Sequence, residues 1–249
     1  MIRTLVRYDI TICGIDELPL HRDAGVSDVL SILDPMAEDP AAFEDFPPHR
    51  RELLRFDDLI FEVPGLEAPQ DHHVAAILAF GAALEQSDVA HLLIHCHAGV
   101  SRSTAAAALL MAQHNPGRET DAFLALLDIR HQAWPNTRMV DIADRLLERR
   151  GALREGLVAY RRALLGRRPH LAEFILGVDR GHECRTRPCI HKGAVFRDSR
   201  FGAVSGHFAR RSATSGNAYS MPREIPPPAW SAFSLKTSRT CAASMSVPG

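Results

Sequence analysis

Lysine is almost absent from this chain of 249 residues, since the two that occur are Lys192 and Lys236. Neither sign of charge is in excess either, because 29 Lys and Arg stand against 30 Asp and Glu, for a formal net charge of −1. A chain with this balance has no overall electrostatic attraction for nucleic acid and no acidic-tail composition. We therefore expect a protein that does not bind nucleic acid.

Long apolar runs, a secretion signal and a regular cysteine pattern are missing as well. No stretch approaches the roughly 20 consecutive apolar residues of a membrane helix, and residues 1–9 contain no apolar region with a small-residue cleavage site. Five irregularly spaced cysteines in such a chain do not make a disulfide framework. We expect reduced thiols, a cytoplasmic location and no membrane association.

The distribution of charge divides the chain into two segments. Residues 1–179 contain 18 arginines and 27 acidic residues, a net charge of −9, whereas residues 180–249 contain 11 basic and 3 acidic residues, a net charge of +8. Beyond Gly177 the apolar periodicity is lost, and Ser, Gly and Pro dominate. The sequence predicts a folded domain over 1–180 and a basic tail, disordered by composition, over 181–249.

This tail contains one group of potential metal ligands, His182, Cys184, Cys189 and His191. Two thiolates and two imidazoles can form a tetrahedral zinc shell. Structural zinc sites, however, pair closely spaced ligands with a distant second pair around a small core, and the tail has no such spacing. We predict that the protein uses no metal and no cofactor.

Short strands alternate with helices along the first 165 residues. Such an order is typical of an α/β protein with a central, mainly parallel sheet flanked by helices. The apolar patterns predict strands at 9–14, 28–33, 53–56 and 91–95 and helices at 74–84, 103–114, 121–131, 137–150, 153–165 and 171–176.

The segment 91–104, HLLIHCHAGVSRST, joins a buried strand to a strong helix former. A connecting loop of this length can surround an oxyanion with its backbone N–H groups, Gly99 permits a sharp turn, and the helix N-terminus adds positive potential. The loop thus predicts a phosphate-binding cradle. Its phosphate-binding residues would be His97, Ala98, Gly99, Val100, Ser101 and Arg102.

Two residues of the loop suggest chemistry as well as binding. Cys96 lies at the base of the cradle, where the positive potential favours a nucleophilic thiolate over the thiol. Arg102 can bind two phosphate oxygens at once, a geometry that lysine cannot reproduce. We predict that Cys96 and Arg102 are catalytic.

From His95 to Ser103 the chain reads H-C-x-x-G-x-x-R-S, which resembles the signature loop of the protein tyrosine phosphatase superfamily. The similarity is nearest to its dual-specificity branch and the bacterial relatives, and it extends from residues 10–16 to residues 133–137. It implies a phosphatase-like fold. The implied activity is hydrolysis of phosphate monoesters, above all protein phosphotyrosine, through a phosphocysteine intermediate.

The same resemblance implies roles for three residues near the nucleophile. Ser103 matches the hydroxyl residue that donates a hydrogen bond to the cysteine sulfur and eases the departure of the sulfur when the phosphocysteine intermediate is hydrolysed. It is also simply a residue of the first helical turn, and the two roles are compatible. His95 would orient the loop without acting as the base. Asn136 matches an asparagine that lies near the signature loop in this superfamily. A Pro-Asn pair before a helix is also an ordinary N-cap, and we prefer the N-cap interpretation.

Such chemistry needs a general acid from a loop upstream of the nucleophile, and 53–59, LLRFDDL, supplies candidates. We prefer Asp58 as the catalytic acid, with Asp57 as a neighbour whose like charge helps it to keep a proton. Asp71 is a weaker candidate because it lies where a helix N-cap is expected. The alternative is that this segment is an ordinary acidic turn.

Two other functions remain open from the sequence: a phosphate-binding module without turnover, and a rhodanese-like sulfur transferase with a cysteine loop. The expected partner is a phosphorylated protein or a small phosphomonoester. Arg102 is the one permanently charged cation between 96 and 102 and the domain is acidic, so we expect singly phosphorylated substrates to be preferred over polyphosphorylated inositides. The oligomeric state is not predicted.

Overall fold

Four short strands form one parallel sheet at the centre of the computed structural model, which describes residues 5–169. The order across the sheet is β1-β4-β2-β3, with every neighbouring pair parallel. The prediction of an α/β fold with a parallel sheet flanked by helices is confirmed. The strands are β1 (Asp9–Cys13), β2 (Asp28–Leu33), β3 (Arg50–Arg55) and β4 (His91–His95).

Five α-helices and two 3-10 helices complete the fold within residues 5–169. The 3-10 helices, which the sequence analysis did not predict, are Ile15–His21 and Ala41–Asp45. The α-helices are α1 (Asp71–Glu85), α2 (Arg102–Gln113), α3 (Glu119–Ile129), α4 (Thr137–Leu146) and α5 (Ala152–Arg167).

The sheet is buried on both faces, as all-parallel sheets generally are. Helix α2 packs against β1, β2 and β4, and its run of alanines at 105–108 is fully buried, which lets the helix lie close to the strands. On the other face, Val29 and Leu93 pack with Leu18 of the first 3-10 helix and with Phe46, which directly follows the second. The central strands are therefore held from both sides, and their ends are well fixed.

All four strands run in the same direction, so their carboxyl ends lie along one edge of the sheet. In open parallel sheets this edge carries the ligand-binding loops. Here it carries the loops that begin at Gly14, Asp34, Phe56 and Cys96. The segment that resembles a signature loop thus lies between the loops that follow β1 and β2, and the loop after β3 lies one strand further along this edge.

Strand β3 begins at Arg50, earlier than the apolar pattern predicts. It is an edge strand, and its charged side chains are paired rather than buried in the core: Arg50 with Asp28 at 2.6 Å and Arg51 with Ser31 at 2.8 Å. Apolar periodicity cannot detect a strand of this kind.

The helix predicted over 137–150 ends at Leu146. Glu148 and Arg150 adopt positive φ values of 53° and 55°, a left-handed conformation that terminates a helix. The predicted helix at 171–176, the tail at 181–249 and the Cys/His group of the tail lie outside the described residues. None of the helices within 5–169 has the length and apolar character needed to cross a membrane.

Candidate active site

The loop between β4 and α2 makes a tight turn against the end of β1. Gly99 has φ of +66°, and a Cβ at this position would come within 2.5 Å of the backbone carbon of Cys13. Both the left-handed conformation and the lack of space require glycine here. The sequence predicted the sharp turn at Gly99, but it did not predict the close approach of the loop to the backbone of β1.

The carbonyl oxygens of the loop are hydrogen-bonded on its outer side. His97 O accepts from the Ile15 N–H at 2.8 Å, and Val100 O accepts from the Trp134 N–H at 2.8 Å. Arg130 donates to Ala98 O at 3.2 Å and to Gly99 O at 3.1 Å.

In a trans peptide the N–H points away from the carbonyl oxygen of the same unit. The outward carbonyls consequently turn the following N–H groups towards the inside of the loop. Within residues 5–169, the backbone N–H groups of Ala98, Gly99 and Val100 donate no hydrogen bond. Converging donors at a helix N-terminus are an arrangement that binds a phosphate or similar oxyanion.

Arg102, the first residue of α2, lies beside these donors with only 2% of its surface exposed. Its Nη1 donates to Asp34 Oδ1 and to Phe56 O, both at 2.6 Å, and its buried Nε has no partner within the described residues. Burial disfavours the charge, but Asp58, Cys96 and Asp34 outweigh it and raise the pKa of Arg102 above its usual value. The guanidinium is a fixed cation with a donor available for an anion.

Cys96 follows β4 directly and is almost completely buried, with 2% exposed. Its Sγ lies 3.2 Å from the Oγ of Ser103 on the first turn of α2. The hydroxyl is thus placed to donate to the sulfur, the contact that the resemblance implies for Ser103.

The three candidate acids have different partners. Asp58 Oδ1 accepts from Ser101 Oγ at 2.7 Å, so this carboxylate touches the cradle itself. Asp57 instead closes its own loop through two hydrogen bonds to Glu67. Its N–H donates to Glu67 O and its Oδ2 accepts from the Glu67 N–H, both at 2.7 Å. Asp71 pairs with Arg145, a bond that lowers the pKa of Asp71. Only Asp58 of these three is bonded to the loop.

Asn136 combines the two roles that the sequence analysis treated as alternatives. Its Oδ1 accepts from the Met139 N–H at 3.1 Å and caps α4, while its Nδ2 donates to Asp58 Oδ1 at 2.8 Å and to Leu59 O at 3.2 Å. The cap fixes the amide, and the amide in turn fixes the acid beside the cradle.

His95 is fully buried at the end of β4, and its Nε2 lies 2.6 Å from Ser31 Oγ. Ser31 also accepts from Arg51 Nε at 2.8 Å. Burial, helped by the nearby Arg51 cation, lowers the pKa of His95 to about 3. The imidazole is neutral near pH 7 and unsuited to act as the base, and its bond to β2 fits an orienting role.

Two parts of the site were missed by the sequence analysis. Asp34, which follows β2, holds Arg102 and lies 3.4 Å from His97 Nδ1; its place at the carboxyl end of a parallel strand was a usable signal. Arg130 supports the loop from outside and is itself held by Glu17 at 2.7 Å. Nothing in the sequence marks Arg130, because it lies far from the loop along the chain.

Arg130 is a positioning residue, and its removal should loosen the cradle. In Arg130→Gln the loop loses donors to two carbonyls, each worth about 0.5–1.5 kcal/mol. We expect the affinity for a tetrahedral oxyanion such as tungstate to fall about 10- to 100-fold, measured by calorimetry. Arg22→Gln, which removes an exposed pair with Asp23, is the matched control. Equal affinities in the two variants would contradict this role.

One further group of metal-ligand types within residues 5–169 consists of Glu67, on the loop that carries Asp58, and of His72 and His73 in the first turn of α1. His73 Nδ1 accepts from the Gln70 N–H at 3.1 Å, and its Nε2 lies 3.3 Å from Glu67 Oε1. Because Nδ1 acts as an acceptor, the neutral ring carries its proton on Nε2. Neither nitrogen then has a lone pair available, so the group does not fit a metal site in this arrangement.

No protein-family model matches the chain, and neither does any curated protein. Solved structures that are similar include dual-specificity and tyrosine-type phosphatases, the superfamily whose signature loop residues 95–103 resemble. Human DUSP28 is 18% identical, with a TM-score of 0.45, and the match covers 57% of this chain and 94% of that one.

Two other similar structures have comparable values. A mouse putative dual specificity phosphatase, complexed with zinc tungstate, is 18% identical, with a TM-score of 0.43 and coverage of 56% and 82%. A human tyrosine phosphatase-like serine/threonine/tyrosine-interacting protein is 16% identical, with a TM-score of 0.42 and coverage of 59% and 95%. At these values, function does not carry over from those proteins to this chain.

Proposed function

We propose that the protein is a cysteine-dependent phosphomonoester hydrolase whose main substrates are phosphotyrosine residues of proteins. The observation that carries the proposal is the position of Cys96: its sulfur lies at the base of inward-pointing N–H groups, beside a buried Arg102 and within 3.2 Å of Ser103 Oγ. A nucleophile, an oxyanion site and an acid on a neighbouring loop are the parts that acyl or phosphoryl transfer requires.

The first step forms a bond between Cys96 Sγ and phosphorus and breaks the bond from phosphorus to the substrate oxygen. The N–H groups of the loop and Arg102 hold the phosphoryl oxygens as the charge shifts towards the leaving group. The leaving oxygen needs a proton, and Asp58 supplies it. Both donors to Asp58 bind Oδ1, so Oδ2 is the atom that carries this proton.

The second step returns the enzyme to its starting state. Water attacks phosphorus, Asp58 takes the proton from the water, and the bond between sulfur and phosphorus breaks. Cys96 leaves as a thiolate, which accepts a hydrogen bond from Ser103 and lies in the positive potential of the α2 N-terminus. Each step uses groups of the protein and needs no cofactor. A reduced thiol suits a cytoplasmic location.

The experiment that tests the proposal is turnover of p-nitrophenyl phosphate by the full chain, with and without a chelator. We expect phosphate release that the chelator does not change. A parallel assay follows sulfur transfer from thiosulfate to cyanide. Sulfur transfer without phosphate release would assign a rhodanese-like activity, and tungstate binding without either reaction would assign a phosphate-binding module.

Substrate charge gives a second prediction. Arg102 is the permanent cation of the cradle, and Asp34 already balances part of its charge at 2.6 Å. Additional phosphate groups would lie against the loops at 34–39 and 57–67, which contain seven acidic residues and no basic one, and would be repelled by them. We expect kcat/KM for phosphotyrosine peptides to exceed that for every member of a phosphoinositide panel. Faster turnover of polyphosphorylated inositides would reverse the assignment.

A further inference from the structure

Most of the exposed large apolar side chains within 5–169 lie on the two loops that carry Asp34 and Asp58. Leu20 and Leu146 lie elsewhere, in the first 3-10 helix and at the end of α4, and the others lie on the loops that follow β2 and β3. We call these others the apolar rim. It consists of Met36, Phe61, Val63 and Leu66, which are 94%, 61%, 40% and 50% exposed.

Met36 lies on the loop that follows β2. Arg55 Nη1 donates to Asp34 O at 3.3 Å and to Ala37 O at 2.6 Å, and the Ala37 N–H closes a turn onto Asp34 O. The side chain of Asp34 meanwhile holds Arg102. Met36 is thus presented to solvent by a turn that is fastened both to the sheet and to the phosphate-binding arginine.

The other three rim residues lie on the loop that carries the acid. Asp57 and Glu67 close this loop at its base, and Asn136 donates to Leu59 O beside Asp58. Arg138 donates to Pro69 O at 2.6 Å and pairs with Glu62 at 2.9 Å. The loop is therefore fastened on both sides of Phe61 and again at its base, which fixes Phe61 relative to Asp58. Val63 and Leu66 lie in the turn between these points, which the Leu66 N–H closes onto Val63 O at 3.1 Å.

The mechanism indicates what this rim would touch. Asp58 protonates the oxygen to which the organic part of the substrate is attached, so that part leaves the cradle past Asp58 and along the acid loop. A cluster of exposed apolar residues at this place is more than the scattered single residues of an ordinary surface. Apolar groups close to the phosphate ester would bury the rim when the substrate binds.

The charge of the two loops that carry the apolar rim distinguishes between a membrane surface and a peptide as the binding partner. Residues 34–39 and 57–67 contain seven acidic residues and no basic one. Four arginines from other elements pair with three of these acids, namely Asp34, Asp39 and Glu62, so the two loops keep an excess of negative charge. An anionic bilayer surface would be repelled, whereas lysine or arginine near the phosphorylated residue would be attracted. Charge and apolar surface together fit a peptide better than a membrane.

We propose that the apolar rim binds the residues that flank the phosphorylated side chain and selects phosphopeptides in which apolar and basic residues surround it. This inference rests on the proposed function and extends it from the reaction to the substrate. The rim residues are specificity determinants, since the chemistry itself takes place at Cys96 and Asp58.

The test compares three phosphotyrosine peptides, whose flanking residues are Leu and Arg, Gly and Ser, or Leu and Glu, with p-nitrophenyl phosphate. For the wild-type full chain we expect kcat/KM to be about tenfold higher for the Leu/Arg peptide than for the other two. In Met36→Ser and Phe61→Ser, the ratio of kcat/KM for this peptide to that for the aryl phosphate should fall about tenfold, through KM.

Leu146→Ser is the matched control. Leu146 is 38% exposed at the far end of α4, whose ten residues span about 15 Å from the cap at the site. The ratio in this variant should equal that of the wild type. Equal kcat/KM for all three peptides, or equal losses on peptide and aryl phosphate in the rim variants, would overturn the inference while the proposed function stands.

Two further outcomes are distinguishable. Sedimentation with phosphatidylcholine/phosphatidylserine vesicles that is lost in Met36→Ser would assign the rim to a bilayer and overturn the inference.

If the wild type does not hydrolyse the aryl phosphate, the proposed function fails. Fluorescence anisotropy then measures peptide binding to Cys96→Ser. If the double variant Cys96→Ser/Met36→Ser binds the Leu/Arg peptide more weakly than Cys96→Ser does, the peptide-binding role of the rim is supported. Unchanged binding overturns that role.

Discussion

Replacement of Cys96 by serine is expected to abolish hydrolysis while leaving oxyanion binding in place. Serine cannot provide a thiolate, and loss of a covalent nucleophile lowers kcat by a factor on the order of 10⁴ or more. The oxyanion, in contrast, is held by the N–H groups of the loop and by Arg102, which the substitution does not touch. Turnover of p-nitrophenyl phosphate and calorimetric titration with tungstate measure the two properties separately.

Arg102→Lys is the contrasting variant. An ammonium group cannot donate to Asp34 and Phe56 O and still present a second donor in a planar geometry, so both hydrolysis and tungstate binding should be lost. Full turnover by Cys96→Ser, or loss of tungstate binding in that variant while its melting temperature is unchanged, would contradict the division between nucleophile and cradle.

Asp58→Asn should slow hydrolysis in a way that depends on the leaving group. Asparagine retains an oxygen that can accept from Ser101 and Asn136, so the loop keeps its position, but it has no proton to give. For alkyl phosphates, whose leaving oxygen is strongly basic, we expect kcat to fall by about 10²–10⁴. Aryl esters with an acidic phenol need little protonation and should be affected much less. A series of phosphate esters with graded leaving-group basicity measures the difference.

The other two acids are the controls. In Asp57→Asn the side-chain oxygen still accepts from the Glu67 N–H, and in Asp71→Asn only an exposed pair with Arg145 is lost, which is worth little. Both should show the leaving-group dependence of the wild type. If either one alone behaves as predicted for Asp58→Asn, while Asp58→Asn follows the wild type, Asp58 is not the acid.

The sequence predicted those parts of the fold and site that are local. Strand β4, the loop and α2 are consecutive, and each is marked by its own residue types: an apolar run, a glycine that must turn, and alanines that form a helix. The order of strands and helices likewise predicted the parallel sheet. Strand β3 was only partly predicted because Arg50, Arg51 and Glu52 belong to an edge that is stabilised by ion pairs and hydrogen bonds.

The parts that could not be predicted depend on contacts between distant segments. Asp57 and Asp58 are adjacent in the sequence, and only the fold shows that one closes its loop while the other touches Ser101. The support that Arg130 gives to Ala98 and Gly99 joins residues about thirty positions apart, and no local pattern records it. The apolar rim was missed for the same reason, because exposure depends on the tertiary structure.

The proposed mechanism depends on a covalent bond between Cys96 Sγ and phosphorus, and the most direct measurement is to trap that species. The full chain is mixed with p-nitrophenyl phosphate, quenched with acid within milliseconds, digested and analysed by mass spectrometry. We expect one added phosphoryl group on the peptide that contains Cys96, formed with a burst of p-nitrophenol and absent in Cys96→Ser. Hydrolysis without this adduct, with Cys96→Ser as active as the wild type, would contradict it.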